Sequence, residues 1–204
     1  MFVQTEATPN ENALKFIPGN IPISKEKPHD FPNKESSIGV SNLATKLFEI
    51  DGISRVFYGS NFITITKKDD GEWMVLKPHI FATIVEYMTN GWAIFNNEDN
   101  ILKSNNVHDK PKYINSKIQQ ILENKPDMES SVIKEIIALI DERVRPSVAM
   151  DGGDINFVNF IDGIVYVEMI GACSGCSSSE ATLKGGIENM LKHYIPEVLS
   201  VEAI

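Results

Sequence analysis

The chain has 204 residues, with 19 Lys+Arg against 28 Asp+Glu for a net charge of -9, and 42% of it is hydrophobic. That is enough apolar material for one large or two small cores, which excludes global disorder. The acidic balance argues against a nucleic-acid binder, no apolar run approaches the ~20 residues of a membrane span, and the start Met1–Glu6 reads as neither secretory signal nor transit peptide.

In chain order, residues 13–17 predict a short strand ended by the turn pair Pro18-Gly19. Residues 20–40, with Pro22, Pro28 and Pro32, predict loop. Ser41 is placed to cap a helix through Leu43, Ala44, Leu47 and Phe48, stopped by Asp51-Gly52. Ile53–Tyr58 and Phe62–Thr66 predict two strands. A second helix is expected to begin at Pro78, with Ile80, Phe81, Ile84, Val85 and Met88 toward a core.

Residues 92–125 are polar and turn-rich and predict a linker, with a short amphipathic helix near Ile114, Ile118, Ile121 and Leu122. The last domain, 126–204, opens with a helix over 131–145 that Pro146 is expected to end. Asp151-Gly152-Gly153-Asp154 predicts a turn in which both glycines take positive φ. Ile155–Ile161 and Ile164–Ile170 predict a hairpin around Asp162-Gly163. Ser177–Glu180 fits a capping box for a helix carrying Leu183, Ile187, Met190, Leu191 and Tyr194, followed by a strand at Val198–Val201. The fold class is therefore α+β: two small domains, each with helices packed on a small mixed or antiparallel sheet.

Charge is uneven along the chain. Residues 126–204 carry 5 basic and 13 acidic side chains, which reads as a solvated acidic surface or as a face that selects basic partners.

The chain has only two cysteines, Cys173 and Cys176, three positions apart and just ahead of the predicted helix. Helix N-termini carry free N–H groups and partial positive charge, and both favour thiolate over thiol. Small neighbours (Ala172, Ser174, Gly175, Ser177) leave room around the sulfurs. Four readings stand side by side. A thioredoxin-type dithiol lacks its βαβ frame and has only 28 residues after Cys176. Structural zinc wants four ligands, and His29, His79, His108 and His193 show no ligand spacing. A [4Fe–4S] cluster takes four thiolates, the number that two chains bring together across a two-fold axis, at a shallow site. Last, the two thiols can be structural.

Asp151 and Asp154 lack the run of oxygen ligands of a calcium loop. Gly185-Gly186 inside a helix suggests close packing on the sheet or on a second subunit. Lys184 and His193 read as solvated. No catalytic triad order, carboxylate pair or phosphate loop occurs, so no enzyme activity is expected.

Arg143-Val144-Arg145-Pro146, Met150–Asp154, Gly171–Cys176, Ala181–Lys184 and Ile187-Glu188-Asn189 together resemble the NifU C-terminal domain, the core of the Nfu family. Phe2–Glu6, Thr8-Pro9-Asn10, Leu14-Lys15-Phe16, Phe62–Lys67, Trp73 and Leu76-Lys77-Pro78 resemble the family's N-terminal domain. Ser177 stands where the family carries proline, and Asn42 and Glu11 replace two further prolines; none of these removes a ligand.

The resemblance implies a division into an Nfu-type domain at 1–91, a linker at 92–125 and a NifU-like iron–sulfur domain at 126–204. It implies an iron–sulfur cluster scaffold or carrier that holds a [4Fe–4S] cluster between two subunits through Cys173 and Cys176 and passes it to apo-proteins. The partners are then apo iron–sulfur acceptors, an upstream assembly machinery and a second copy of the chain when cluster-bound, with no nucleic acid and no membrane. The alternatives are a small iron–sulfur electron-transfer protein and a zinc-clasped structural dimer. The expected compartment is the bacterial cytoplasm, or the mitochondrial matrix for a processed eukaryotic chain.

Overall fold

The computed structural model describes residues 2–25, 27–96, 116–123, 125–174 and 177–204. The chain divides into two compact units, Met1–Asn106 and Val107–Ile204, each with helices on one small sheet.

In the first unit, β1 (Gln4–Ala7), β2 (Ala13–Ile17), β3 (His29–Phe31), β4 (Ile53–Tyr58) and β5 (Ile63–Lys67) form an antiparallel sheet in the order β1-β2-β5-β4-β3. Helices α1 (Lys34–Ser37), α2 (Asn42–Leu47) and α3 (Trp73–Thr89) complete the unit. Their apolar residues Leu43, Leu47, Ile80 and Ile84 are fully buried in one core with Phe16, Val56, Ile63 and Ile65 from the sheet.

Ser41 caps α2 as its side chain predicts: the hydroxyl oxygen accepts the Ala44 N–H at 3.2 Å. The same hydroxyl donates to the Ile94 carbonyl at 2.7 Å and lies 3.1 Å from the Tyr58 hydroxyl. Burial raises the Tyr58 phenol well above its ordinary pKa, so this network is neutral. Ile94 and Phe95 pack on the same core.

Two expectations are corrected here. Residues 20–40 are not all loop: His29–Phe31 pairs with β4, and Asn33 caps the short α1. Helix α3 starts at Trp73, not Pro78, and Pro78 lies inside it. The missing N–H leaves the Met74 carbonyl without its intrahelical donor, and Met74 lies on the exposed face, where water can serve it.

The second unit opens with α4 (Ser116–Glu123) and α5 (Asp127–Leu139). A π-helical turn, Ile140–Val144, and α6 (Arg145–Met150) continue the same run. The helix therefore does not end at Pro146. The π turn passes into α6 at Arg145, and Pro146 stands in the first turn of the new segment, where its missing N–H costs little.

Strands β6 (Gly153–Ile161), β7 (Ile164–Gly171) and β8 (Ser200–Ala203) form a mixed sheet in that order, antiparallel between β6 and β7 and parallel between β7 and β8. Helix α7 (Ser177–Tyr194) provides the crossover that a parallel pair requires. Ile133, Ile136, Ile140, Ile155, Val167, Ile187 and Leu191 meet in the core, with Ile118, Ile121 and Leu122 of α4 packed on it.

The β6–β7 turn follows its sequence signal. Asp162 and Gly163 both have positive φ, 50° and 81°. The Gly163 carbonyl accepts the Leu199 N–H at 2.7 Å, and a Cβ at 163 would fall 2.6 Å from the Leu199 side chain.

Candidate functional site

The hairpin's open end builds the site. The β6–β7 ladder runs from Ile161↔Ile164 at the turn to Gly153↔Gly171, with a bulge between Phe157 and Asn159. Beyond Gly171 the chain turns toward α7. Gly171 (φ 70°) and Gly152 (φ 84°) both take left-handed backbone, which their lack of Cβ makes inexpensive. Ala172 N–H donates to the Gly152 carbonyl at 3.2 Å, and Ser174 N–H to the Gly171 carbonyl at 3.3 Å. The cysteine loop is thus tied by backbone to the glycine turn ahead of β6.

Cys173 lies in this loop, 2% exposed and part of the second unit's core. That differs from the shallow site expected of a thiol shared with another chain. Its sulfur occupies the space a side chain at 153 would need: a Cβ on Gly153 would stand 2.7 Å from Cys173 Sγ and 2.5 Å from the Ile170 carbonyl oxygen. Only Gly152 of the glycine pair has positive φ, because Gly153 already belongs to β6.

Cys176 and Gly175 lie outside the described residues, as do the side chains of the proposed capping box, Ser177–Glu180. The helix itself begins at Ser177, so the second thiol immediately precedes a helix start in sequence.

Next to Gly153 in sequence stands an ionic cluster of one buried and two half-buried side chains. Arg145 pairs with Asp141 at 3.0 Å and with Asp154, whose carboxylate also accepts the Ile155 N–H at 2.8 Å. Burial pushes both carboxyls up, while the Arg145 guanidinium pulls them down. Asp154 is therefore engaged by the protein, which answers the cation reading of the Asp151–Asp154 turn. Among the described residues, no group of three or more His, Cys, Asp or Glu is placed to hold a metal ion.

Arg145 carries no predicted ionic role in the sequence reading. A signal was present: an Asp and an Arg four apart on an otherwise apolar helix face, with another Asp closing the glycine turn.

Other flagged residues have separate partners. Lys184 pairs with Glu202 at 2.7 Å. Glu188 pairs with Lys192 and accepts the Val201 N–H at 3.0 Å, tying α7 to β8. A Cβ on Gly185 or Gly186 would meet nothing within 4 Å, so these glycines do not pack on the sheet. His193 lies edge-on to Tyr194, and His29 packs on Phe95. His108 lies outside the described residues. In the first unit an open cleft of about 650 Å³ is lined by Lys46, Glu49, Trp92 and Phe95 among others. Among the described residues, no helix is long and apolar enough to cross a membrane.

Comparison with known proteins covers both units. Residues 3–91 match the family described as "Scaffold protein Nfu/NifU N terminal", and residues 136–202 match the "NifU-like domain". A relative from Arabidopsis thaliana, "NifU-like protein 5, mitochondrial", is 43% identical over 205 residues, covering 99% of this chain and 67% of its own length. One from Drosophila ananassae, "NFU1 iron-sulfur cluster scaffold homolog, mitochondrial", is 42% identical over 204 residues, covering 100% of this chain and 64% of its own. The chain thus spans about two thirds of the length of these relatives. A solved NifU-like protein from Saccharomyces cerevisiae aligns with 48% of this chain and 87% of its own, at 29% identity and a TM-score of 0.43.

Proposed function

The chain belongs to the Nfu/NifU family of iron–sulfur scaffold proteins, and from that premise we propose that it carries a [4Fe–4S] cluster as cargo between two subunits and delivers it to apo-proteins. The observation that carries this reading is the pair Cys173 and Cys176, the chain's only thiols, falling at a strand-to-helix junction inside the NifU-like segment.

The donor set fits the cargo by its chemistry. Two thiolates per chain leave a four-iron cluster half-ligated, and a second chain supplies the other two. Cys173 and Cys176 bind as thiolates, releasing their protons on loading. Delivery is ligand exchange without change of oxidation state. An acceptor thiol loses its proton and bonds to iron, and the departing cysteine takes up a proton. Repeated at each iron, this moves the cluster intact. The chain performs no bond-making chemistry on an organic substrate, and in this reading it is not an enzyme.

The domain division 1–91, 92–125 and 126–204 belongs to the same proposal. The first unit, whose cleft is lined by Lys46 and by Trp92 just past the 1–91 segment, acts as the partner-binding module. The named relatives are mitochondrial, which supports the matrix for a eukaryotic chain; for a bacterial chain the proposed compartment is the cytoplasm.

The test is native mass spectrometry after anaerobic reconstitution with iron and sulfide. A dimer with one four-iron, four-sulfur unit is expected. It should vanish in both Cys173→Ala and Cys176→Ala, and the loaded dimer should restore activity to an apo [4Fe–4S] enzyme within minutes. A dimer holding one zinc, or a monomer that stays metal-free, overturns the proposal. A loaded dimer that keeps its cluster and cycles electrons overturns delivery.

A further inference from the structure

A thiol that ligates a cluster shared with another chain must reach the surface, yet Cys173 is 2% exposed and packed in the core. Its sulfur sits over the bare Cα of Gly153, where a Cβ would be 2.7 Å from Sγ and 3.2 Å from the Cys173 Cβ. Real Cβ atoms essentially never come within 3.0 Å of another heavy atom, so the 2.7 Å approach to Sγ is excluded. Only glycine at 153 therefore allows this position of the sulfur.

Three features fix the seat. The ladder pairs Gly153 with Gly171, bringing the start of β6 level with the end of β7. The Ala172 N–H bond to the Gly152 carbonyl holds the loop over the glycine turn. Arg145 anchors Asp154, the next residue of β6, to the helix behind it.

We infer that Gly153 is a positioning residue for Cys173: it forms the covered seat in which the thiol is held, and the thiol must leave that seat before it can bind iron. The second clause rests on the cluster-carrier reading; the first does not. Stowing has a chemical use. An exposed thiolate reacts with oxidants and electrophiles, whereas a buried one is shielded. A carrier that spends part of its cycle empty keeps a usable ligand by covering it.

The test uses the full chain carrying Cys176→Ser, so that Cys173 is the single thiol, and follows alkylation by iodoacetamide with mass spectrometry. In the folded chain the rate should be at least about tenfold below that in concentrated urea, because reaction waits for local opening. Equal rates overturn the seat. Gly153→Ala in the same background should bring the folded rate close to the urea rate. Hydrogen exchange is read in parallel, and β6 and β7 should stay protected.

Protected strands with an unchanged alkylation rate overturn the role of Gly153. The Ile170 carbonyl lies 2.5 Å from the new Cβ. If the variant loses the hairpin for that reason, the folded-to-urea ratio of the chain with Gly153 intact decides. The two readings fail separately. If the chain with both cysteines never loads a cluster while the single-thiol chain shields Cys173, the carrier fails and the seat stands; if the former loads while Cys173 in the latter alkylates at the urea rate, the seat fails and the carrier stands.

Discussion

Each unit holds a packed polar network, one neutral and one charged. In the first, the network at the head of α2 is neutral: Ser41, Tyr58 and the Ile94 carbonyl satisfy one another without a formal charge, apart from the unit's own ion pairs, Arg55–Asp30 and Lys15–Glu6. In the second, Arg145, Asp141 and Asp154 are packed together. A neutral network costs little to bury once its bonds are made, whereas a charged one is costly unless every partner is present. The charged cluster sits where position matters most, at the residue after Gly153.

Removing one partner from each network sharpens this contrast. Arg145→Ala strands the buried Asp154 carboxylate and the half-buried Asp141 and should destabilise the second unit by about 3 kcal/mol. It is read as loss of hydrogen-exchange protection in β6 and β7; protection that survives would mean the carboxylates find other partners or protons. In the first unit the largest effect should come from apolar packing. Ile80→Ala opens a cavity under α3 and should cost about 2–5 kcal/mol. Both tryptophans of the chain, Trp73 and Trp92, lie in this unit, so urea unfolding followed by their fluorescence reports it. Ser41→Ala removes the cap of α2 and the bond to Ile94, a loss of about 1–2 kcal/mol by the same probe. A Ser41→Ala loss as large as that of Arg145→Ala would erase the distinction between the networks.

The smallest effect is in pH. Burial raises the pKa of Asp154 and Asp141 above the ordinary 3.8, so the folded chain takes up their protons at a higher pH than the unfolded chain does. Between the raised folded value and 3.8 the folded state binds more protons, and these two groups add stability as pH falls. Asp51 in the first unit and Glu188 in the second, both lowered by lysine partners, act in the other direction: their contribution is present above the unfolded value and is lost as pH falls through the folded one. Asp154→Asn should remove part of the acid-side gain, read as a change in the pH slope of β6 exchange protection. Identical slopes in the two proteins would show that Asp154 does not titrate differently on folding.

The sequence was legible wherever a local rule governed. The Asp162-Gly163 turn, the Ser41 cap and the strand through Ile63 and Ile65 are settled by a few neighbouring residues, and each is found, although Phe62 and Thr64 are buried as well and the strand does not alternate between core and solvent. It was less legible where tertiary context decides. Nothing in His29-Asp30-Phe31 announces a strand until β4 offers an edge, and Pro78 and Pro146 stop no helix because their surroundings accommodate the missing N–H. Of the site, composition and spacing singled out the cysteines. The burial of Cys173 over Gly153 depends on a register eighteen residues apart in sequence, which no local pattern encodes.

The contact between Gly163 and Leu199 has a consequence for the order of assembly. The β6–β7 pairing closes across two turn residues, a contact of short sequence separation that forms fast. Strand β8 arrives in parallel only after α7, more than thirty residues later, which is a slow kind of pairing. The hairpin tip reduces that search: its carbonyl takes the Leu199 and Ser200 N–H groups, and its glycine leaves a niche for the Leu199 side chain. The late strand is thus received by a turn that is already made, so a side chain at 163 should slow the last step of folding more than it disturbs the first.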